Sequence, residues 1–236
     1  MMSGLSAVVF EAERPRDAAT FWSVLLGAER STSADGGEVV HLRNGPALRL
    51  VPASAPKTVK NRIHLDLAGG RDAGDQQNTV DRAIRLGATT IDIGQHDGGA
   101  VPWVVLADPA GNEFCVLEPR ASYADTGPLA AVVVDSADPR RSAEFWSVAA
   151  GWPVGREDPV CVGLRAPHGR GPWLELLRVD DRPPAAPRCR VELSVPDGPA
   201  GLTDEAERLT RLGALRRGAG RLTDPDGGVI DLVSVT

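Results

Sequence analysis

The chain has 236 residues, 42% hydrophobic and 25% charged, a soluble globular composition long enough for two compact domains of about 115 residues each and unlike that of a disordered chain. Its 26 Lys and Arg against 32 Asp and Glu leave a formal net charge of −6, so nothing pulls generically on nucleic acid or an anionic membrane, and neither is expected as a partner. No apolar run approaches the roughly 18 to 20 residues that span a bilayer, and the start MMSGLSAVVFEAERP carries neither a basic nor a long apolar leader region, so a cytoplasmic protein is expected.

In chain order, LSAVVF predicts a strand. Pro15 at a helix start, Ala18, Trp22, Leu25 and Leu26 on one face, and Gly27 just past the end predict a helix. VVHLR and ALRLV alternate as short strands around the turn NGP. RIHLDL then opens a second series: a strand, a helix carrying Val80, Ala83, Ile84 and Leu86 that stops at Gly87, and the strands ATTIDI, VPWVVLA and EFCVLE. The second half runs AAVVV, a helix from Pro139 to Gly151, CVGLR, WLELLRV, RVELSV, a helix ending at Gly213, and two strands flanking LTDPDGG. In DPxG, Asp caps the turn, Pro presets the next backbone angle and Gly tolerates the last. The pairs Gly69-Gly70 and Gly98-Gly99 read as turns.

The two halves are copies. PRDAATFWSVLLGAE from Pro15 returns as PRRSAEFWSVAAGWP from Pro139, RIHLDL from Arg62 as RVELSV from Arg190, RLGA from Arg85 as RLGA from Arg211, and DPAGNEFCVL from Asp108 as DPDGGVIDLV from Asp224. Matches in the same order imply a tandem duplication, with domains at 1–121 and 128–236 and the polar stretch 122–127 as linker. Cys115, Cys161 and Cys189 are widely spaced and read as free thiols. His41, His96 and His168 have no companion donors. There is no GxSxG elbow, phosphate loop, dinucleotide fingerprint or HExxH, so no nucleotide cofactor is implied.

A strand, a helix with FW before a Gly, further strands and a closing DPxGN turn, all repeated, resemble the vicinal oxygen chelate superfamily, and RIHLDL, LGA and DPAGNEFCVL resemble its glyoxalase-like domains. The resemblance implies an α+β fold of two tandem domains, each of two βαβββ modules whose curled sheet encloses a cleft. It also implies metal-ligand positions on the first, fourth, fifth and eighth strands of a domain. These fall on Ala7, Arg49, His64 and Cys115 in the first half and on Ala131, Glu175, Glu192 and Asp231 in the second. Strand parity turns Arg62, His64 and Asp66 away from the face of Ile63, Leu65 and Leu67, and sets Trp173 and Glu175 opposite Leu174 and Leu176.

The first cleft is thus expected to hold Arg49 and His64 beside Cys115, a poor divalent-metal site, with Arg49 orienting an anion or carbonyl and His64 as acid or base. The alternative is a hydrogen-bonded row of Arg62, His64 and Asp66, with Cys115 as a small buried residue. In the second cleft Glu175, Glu192 and Asp231 are expected to converge beside Trp173. There they would repel one another for proton transfer, hold a divalent metal, or form only an acidic rim. Trp22 and Trp146 read as core, whereas Trp103 and Trp173 are candidates for a flat ligand-binding wall. The leading expectation is a protein that binds a small, partly aromatic organic molecule without a metal cofactor, as a monomer of two pseudo-symmetric halves or a homodimer. The runner-up is a lyase or isomerase of the glyoxalase-like class.

Overall fold

The computed structural model describes residues 3–92, 101–180, 188–196 and 198–235. His96, the Gly98-Gly99 pair and the end of ATTIDI lie outside them. The first module comprises β1 (Gly4–Ala12), α1 (Pro15–Leu26), β2 (Glu29–Thr32), β3 (Glu38–His41) and β4 (Ala47–Pro52). The second comprises β5 (Ile63–Leu67), α2 (Ala73–Arg85), β6 (Thr89–Thr90), β7 (Val104–Ala107) and β8 (Glu113–Val116). A short 3-10 turn at Ala121–Tyr123 leads into the third, β9 (Leu129–Ser136), α3 (Pro139–Ala149), β10 (Val154–Glu157), β11 (Cys161–Arg165) and β12 (Trp173–Arg178). The fourth is β13 (Cys189–Val195), α4 (Gly198–Arg211), β14 (Leu215–Gly218), β15 (Arg221–Thr223) and β16 (Val229–Ser234).

Local chemistry sets the helix ends. Pro15 occupies the first turn of α1, and Gly27 closes it in the left-handed region at φ 63°, its N–H bonding Ser23 O. Asp138 caps α3 by accepting from Arg141 N, and Asp72 caps α2 by accepting from Asp75 N. In both DPxG turns the Asp carboxylate gathers backbone N–H groups: Asp108 from Ala110 (2.8 Å) and Asn112 (2.9 Å), Asp224 from Asp226 (2.9 Å) and Gly228 (2.7 Å).

The four modules pair across the duplication. One eight-stranded sheet runs β14-β15-β16-β13-β1-β4-β3-β2 and joins the first module to the fourth; the other runs β10-β11-β12-β9-β5-β8-β7-β6 and joins the second to the third. The seams are antiparallel, β1 on β13 and β5 on β9. Each sheet turns one face to the helices, where Val8, Phe10, Leu48, Leu50, Ile63, Leu65, Leu67, Val132, Val134, Leu174 and Leu176 form the core with Trp22 and Trp146. Among the described residues no helix is long and apolar enough to cross a membrane.

The duplicated core is not symmetric. Trp22 Nε1 donates to Asp108 Oδ2 at 2.9 Å, whereas Trp146 Nε1 is buried with no partner among the described residues, and a void of about 10 Å³ bordered by Trp146, Asp224 and Gly228 lies where the first copy has Asn112. Trp22→Phe is therefore expected to cost about 1–2 kcal/mol more than Trp146→Phe in urea unfolding, because only the former strips a charge-assisted hydrogen bond from a buried carboxylate.

Candidate functional site

The seams decide which side chains meet. Of the first-half positions, Ala7 pairs with Glu192 and Arg49 lies across β1, while His64 and Cys115 belong to the other sheet. Of the second-half positions, Glu192 and Asp231 are neighbours on β13 and β16, while Ala131 and Glu175 sit in the sheet of His64. Glu175, Glu192 and Asp231 therefore do not converge, and Arg49 does not orient anything toward His64. The expected sets are corrected to Ala7, Arg49, Glu192 and Asp231 in one cleft, and His64, Cys115, Ala131 and Glu175 in the other.

The cleft of the first and fourth modules is an open depression of about 490 Å³ whose charges satisfy each other. Arg49 bonds Glu192 at 2.5 Å and Asp35 at 2.6 Å; Asp231 takes Arg190 at 2.7 Å and Arg221 at 2.6 Å. Burial raises the Glu192 carboxyl against the pull of Arg49 and Arg190. Burial would raise Asp231 too, but hydrogen bonds from Arg221 and the charge of Arg190 outweigh it and hold that carboxyl below its ordinary value. Carboxylates neutralised in this way are poor proton carriers.

The cleft of the second and third modules encloses about 430 Å³. Its floor follows from the register: Ala131 stands opposite Asp66, Asp66 beside Cys115, and His64 opposite Val133, which lies beside Glu175. With Ile63, Leu65 and Leu67 buried behind the sheet, His64, Asp66, Cys115, Val133 and Glu175 share the front. His64 Nε2 lies 3.5 Å from Asp66 Oδ1, and among the described residues neither His64 Nδ1 nor Asp66 Oδ1, both buried, has a hydrogen-bond partner. Burial pushes the His64 imidazole down to about 3, so it is neutral. Burial and the charge of Glu175 push Asp66 up to about 7, despite a hydrogen bond from the Cys115 thiol. Burial and Asp66 push that thiol up in turn, which leaves it a poor nucleophile.

The walls hold residues that the sequence reading passed over. Tyr123, assigned to the linker, donates to Glu175 Oε1 at 3.1 Å, and Arg156 Nη2 bonds both that carboxylate and the Tyr123 hydroxyl (2.8 Å). Arg156 is stacked between Trp173, 4.4 Å from the ring centre, and Tyr123, at 4.7 Å; Arg165 covers the other part of Trp173 at 4.9 Å. A Cβ on Gly163 would come within 2.9 Å of Arg156 Nε, so only Gly lets the guanidinium lie flat there. Trp103, just before β7, borders the cavity. Trp173 does not border it: it lies beneath Arg156 as part of the support. Arg62 is not in the cleft either, since its guanidinium bonds Asp226 O (2.8 Å) and Asp135 O (3.2 Å). The position of Tyr123 carried one signal, that it is the chain's single tyrosine.

The four positions from which the resembling family holds a metal do not fit one here. Ala131 offers no donor atom, and Glu175 is bound by a guanidinium and a phenol. In the other cleft Arg49 stands among the ligand positions as a fixed cation. His64, Asp66 and Cys115 do each present a donor atom within 4.8 Å of the others, though Asp66 lies outside the four positions.

A family model described as "Glyoxalase-like domain" matches the chain twice, over residues 7–117 and 131–233. Among solved structures, glyoxalase I from Zea mays superposes with a TM-score of 0.66 at 19% identity, covering 98% of this chain and 92% of that one. A putative dioxygenase from Bacillus subtilis superposes at 0.61 and 12% identity, covering 98% and 84%. At such identities the likeness is one of fold. No curated protein matches in sequence. With both halves matched and the two-sheet arrangement shared along nearly its whole length, the chain belongs to the glyoxalase-like domain family of the vicinal oxygen chelate superfamily, as a tandem pair.

Proposed function

We propose that the cleft between the second and third modules binds a small, partly aromatic organic molecule without a metal, in a resistance, carrier or enzymatic role. One observation carries this reading. The 430 Å³ cavity joins an apolar wall of Trp103, Leu117, Tyr123, Val133 and Leu177 to a floor where Asp66 and His64 keep polar atoms that no other described residue hydrogen-bonds. A volume within the roughly 300–1,000 Å³ of small-molecule pockets and a few convergent polar groups are what such a site requires. The other cleft has no such unspent groups among its acids, and this reading gives it a structural role.

Native mass spectrometry of gently purified protein, with and without added Mn²⁺, Ni²⁺ or Zn²⁺, is the test. A co-purified organic mass that survives a chelator and is lost in Leu177→Trp, which thrusts a bulky ring into the cavity, is the expected result. A stoichiometric metal adduct with no organic mass would overturn it.

A lyase or isomerase is a second reading, favoured by a carboxyl near 7 set 3.5 Å from a neutral imidazole. In that case Asp66→Asn abolishes turnover, while Glu192→Gln and Asp231→Asn, in the other cleft, leave it intact.

A further inference from the structure

We infer that the ligand of this cleft is an organic cation, an amine whose ammonium group docks on Asp66 and whose apolar body lies along Tyr123, Leu117, Val133 and Leu177. The inference rests on the small-molecule reading of the site and follows from which charges in the cavity are already spent.

Among the described residues, five charged side chains border the cavity: Asp66, Arg120, Arg156, Asp158 and Glu175. Arg120 Nε is bound to Glu118 at 2.5 Å, and Arg156 to Glu175. Asp158 caps its own turn by accepting the N–H groups of Val160 (2.9 Å) and Cys161 (2.8 Å). Asp66 differs. It is 8% exposed, its only ion-pair contact among the described residues is with an imidazole that burial keeps neutral, and its Oδ1 has no hydrogen-bond partner. The buried charge of the site without a cationic partner among the described residues is therefore a carboxylate, with His64 Nε2 3.5 Å from it.

The surrounding groups report the same sign. Tyr123, Cys115 and Cys161 are all pushed up; burial, which opposes charge of either sign and keeps His64 neutral as well, acts first, and the further push comes from the carboxylates Glu175 and Asp66, so the fixed charges of the cavity oppose an added negative one. A carboxylate or phenolate ligand would meet that resistance, and the two arginines are already paired. An ammonium group would relieve it, giving Asp66 its missing donor and placing the cation among aromatic faces.

Three probes on one phenylpropyl skeleton separate the charge from the shape: 3-phenylpropylammonium, 3-phenylpropanol and 3-phenylpropionate, titrated at pH 8 by calorimetry and tryptophan emission. The ammonium probe should bind at least about tenfold more tightly than the other two, and Asp66→Asn should remove that advantage while leaving the alcohol's affinity unchanged. Equal binding of ammonium and alcohol, or preference for the carboxylate, overturns the cation and leaves the cleft reading standing. If no probe binds and no co-purified mass responds to Leu177→Trp, the cleft reading falls with it. A fourth titration, zinc chloride alone, covers the inorganic alternative: stoichiometric uptake lost in both Asp66→Asn and Cys115→Ser, with the amine excluded, would assign the floor to a metal and overturn the proposal.

Discussion

Asp66→Asn is expected to stabilise the ligand-free protein relative to wild type by about 2–3 kcal/mol more at pH 8 than at pH 5. The sign follows from linkage. Burial and Glu175 raise the folded-state carboxyl to about 7, whereas an unfolded Asp titrates near 4. The folded state therefore holds the proton more tightly, and the stability this contributes is present in acid and lost as the pH rises from about 4 through 7. Above 7 the wild type carries an uncompensated buried carboxylate; Asn keeps the acceptor for the Cys115 thiol and carries no charge at any pH. Urea unfolding of both proteins at pH 5, 6.5 and 8 gives the difference directly, and shared titrations elsewhere cancel. A stability difference that does not change with pH would show that Asp66 is ionised in an environment as favourable as water.

The size of this effect explains why Asp66 is interesting and why it was hard to single out. RIHLDL told by parity that His64 and Asp66 share a face, and that face is the floor of a cavity. The partner set came from elsewhere. A tandem repeat shows which modules resemble one another, whereas the sheets are made by seams between strands far apart in sequence, β5 with β9 and β1 with β13. Nothing in the local pattern of these strands names its partner, since both faces of a central strand are buried: β9 is buried at every residue. Grouping the ligand positions by half placed Glu175 with Glu192 and Asp231, and the seams separated them. Arg156 was invisible for a related reason. It lies on β10, an edge strand that is largely exposed, as are β2 and β14, so none of these carries the apolar alternation by which a strand is recognised. By contrast α1, α3 and the two DPxG turns were legible because their signals are local: a proline at the first turn, a glycine at the end, an Asp collecting N–H groups within four residues.

A backbone contact between turns of the two sheets carries a large single-residue effect. Gly171, between β11 and β12, has φ 79°, and a Cβ there would stand 1.8 Å from Asn44 O, in the turn between β3 and β4. Gly45 is pressed in the same way, its Cβ position 2.8 Å from Pro172 Cδ. These are corresponding turns of the first and third modules, interlocked backbone to backbone, and a main-chain carbonyl cannot swing aside as a long side chain can. Gly171→Ala is therefore expected to cost about 3–5 kcal/mol, the left-handed backbone supplying about 1 and the forced separation of the turns the rest. Gly169→Ala is the internal control: φ is 69° there as well, but nothing lies within 4 Å of the added carbon, so only the backbone cost of about 1 kcal/mol should appear. Because Trp173, the support beneath Arg156, begins the strand two residues beyond Gly171, the same substitution should also shift tryptophan emission and weaken ligand binding in the cleft. Equal losses for the two variants in urea unfolding would mean that the turns do not interlock.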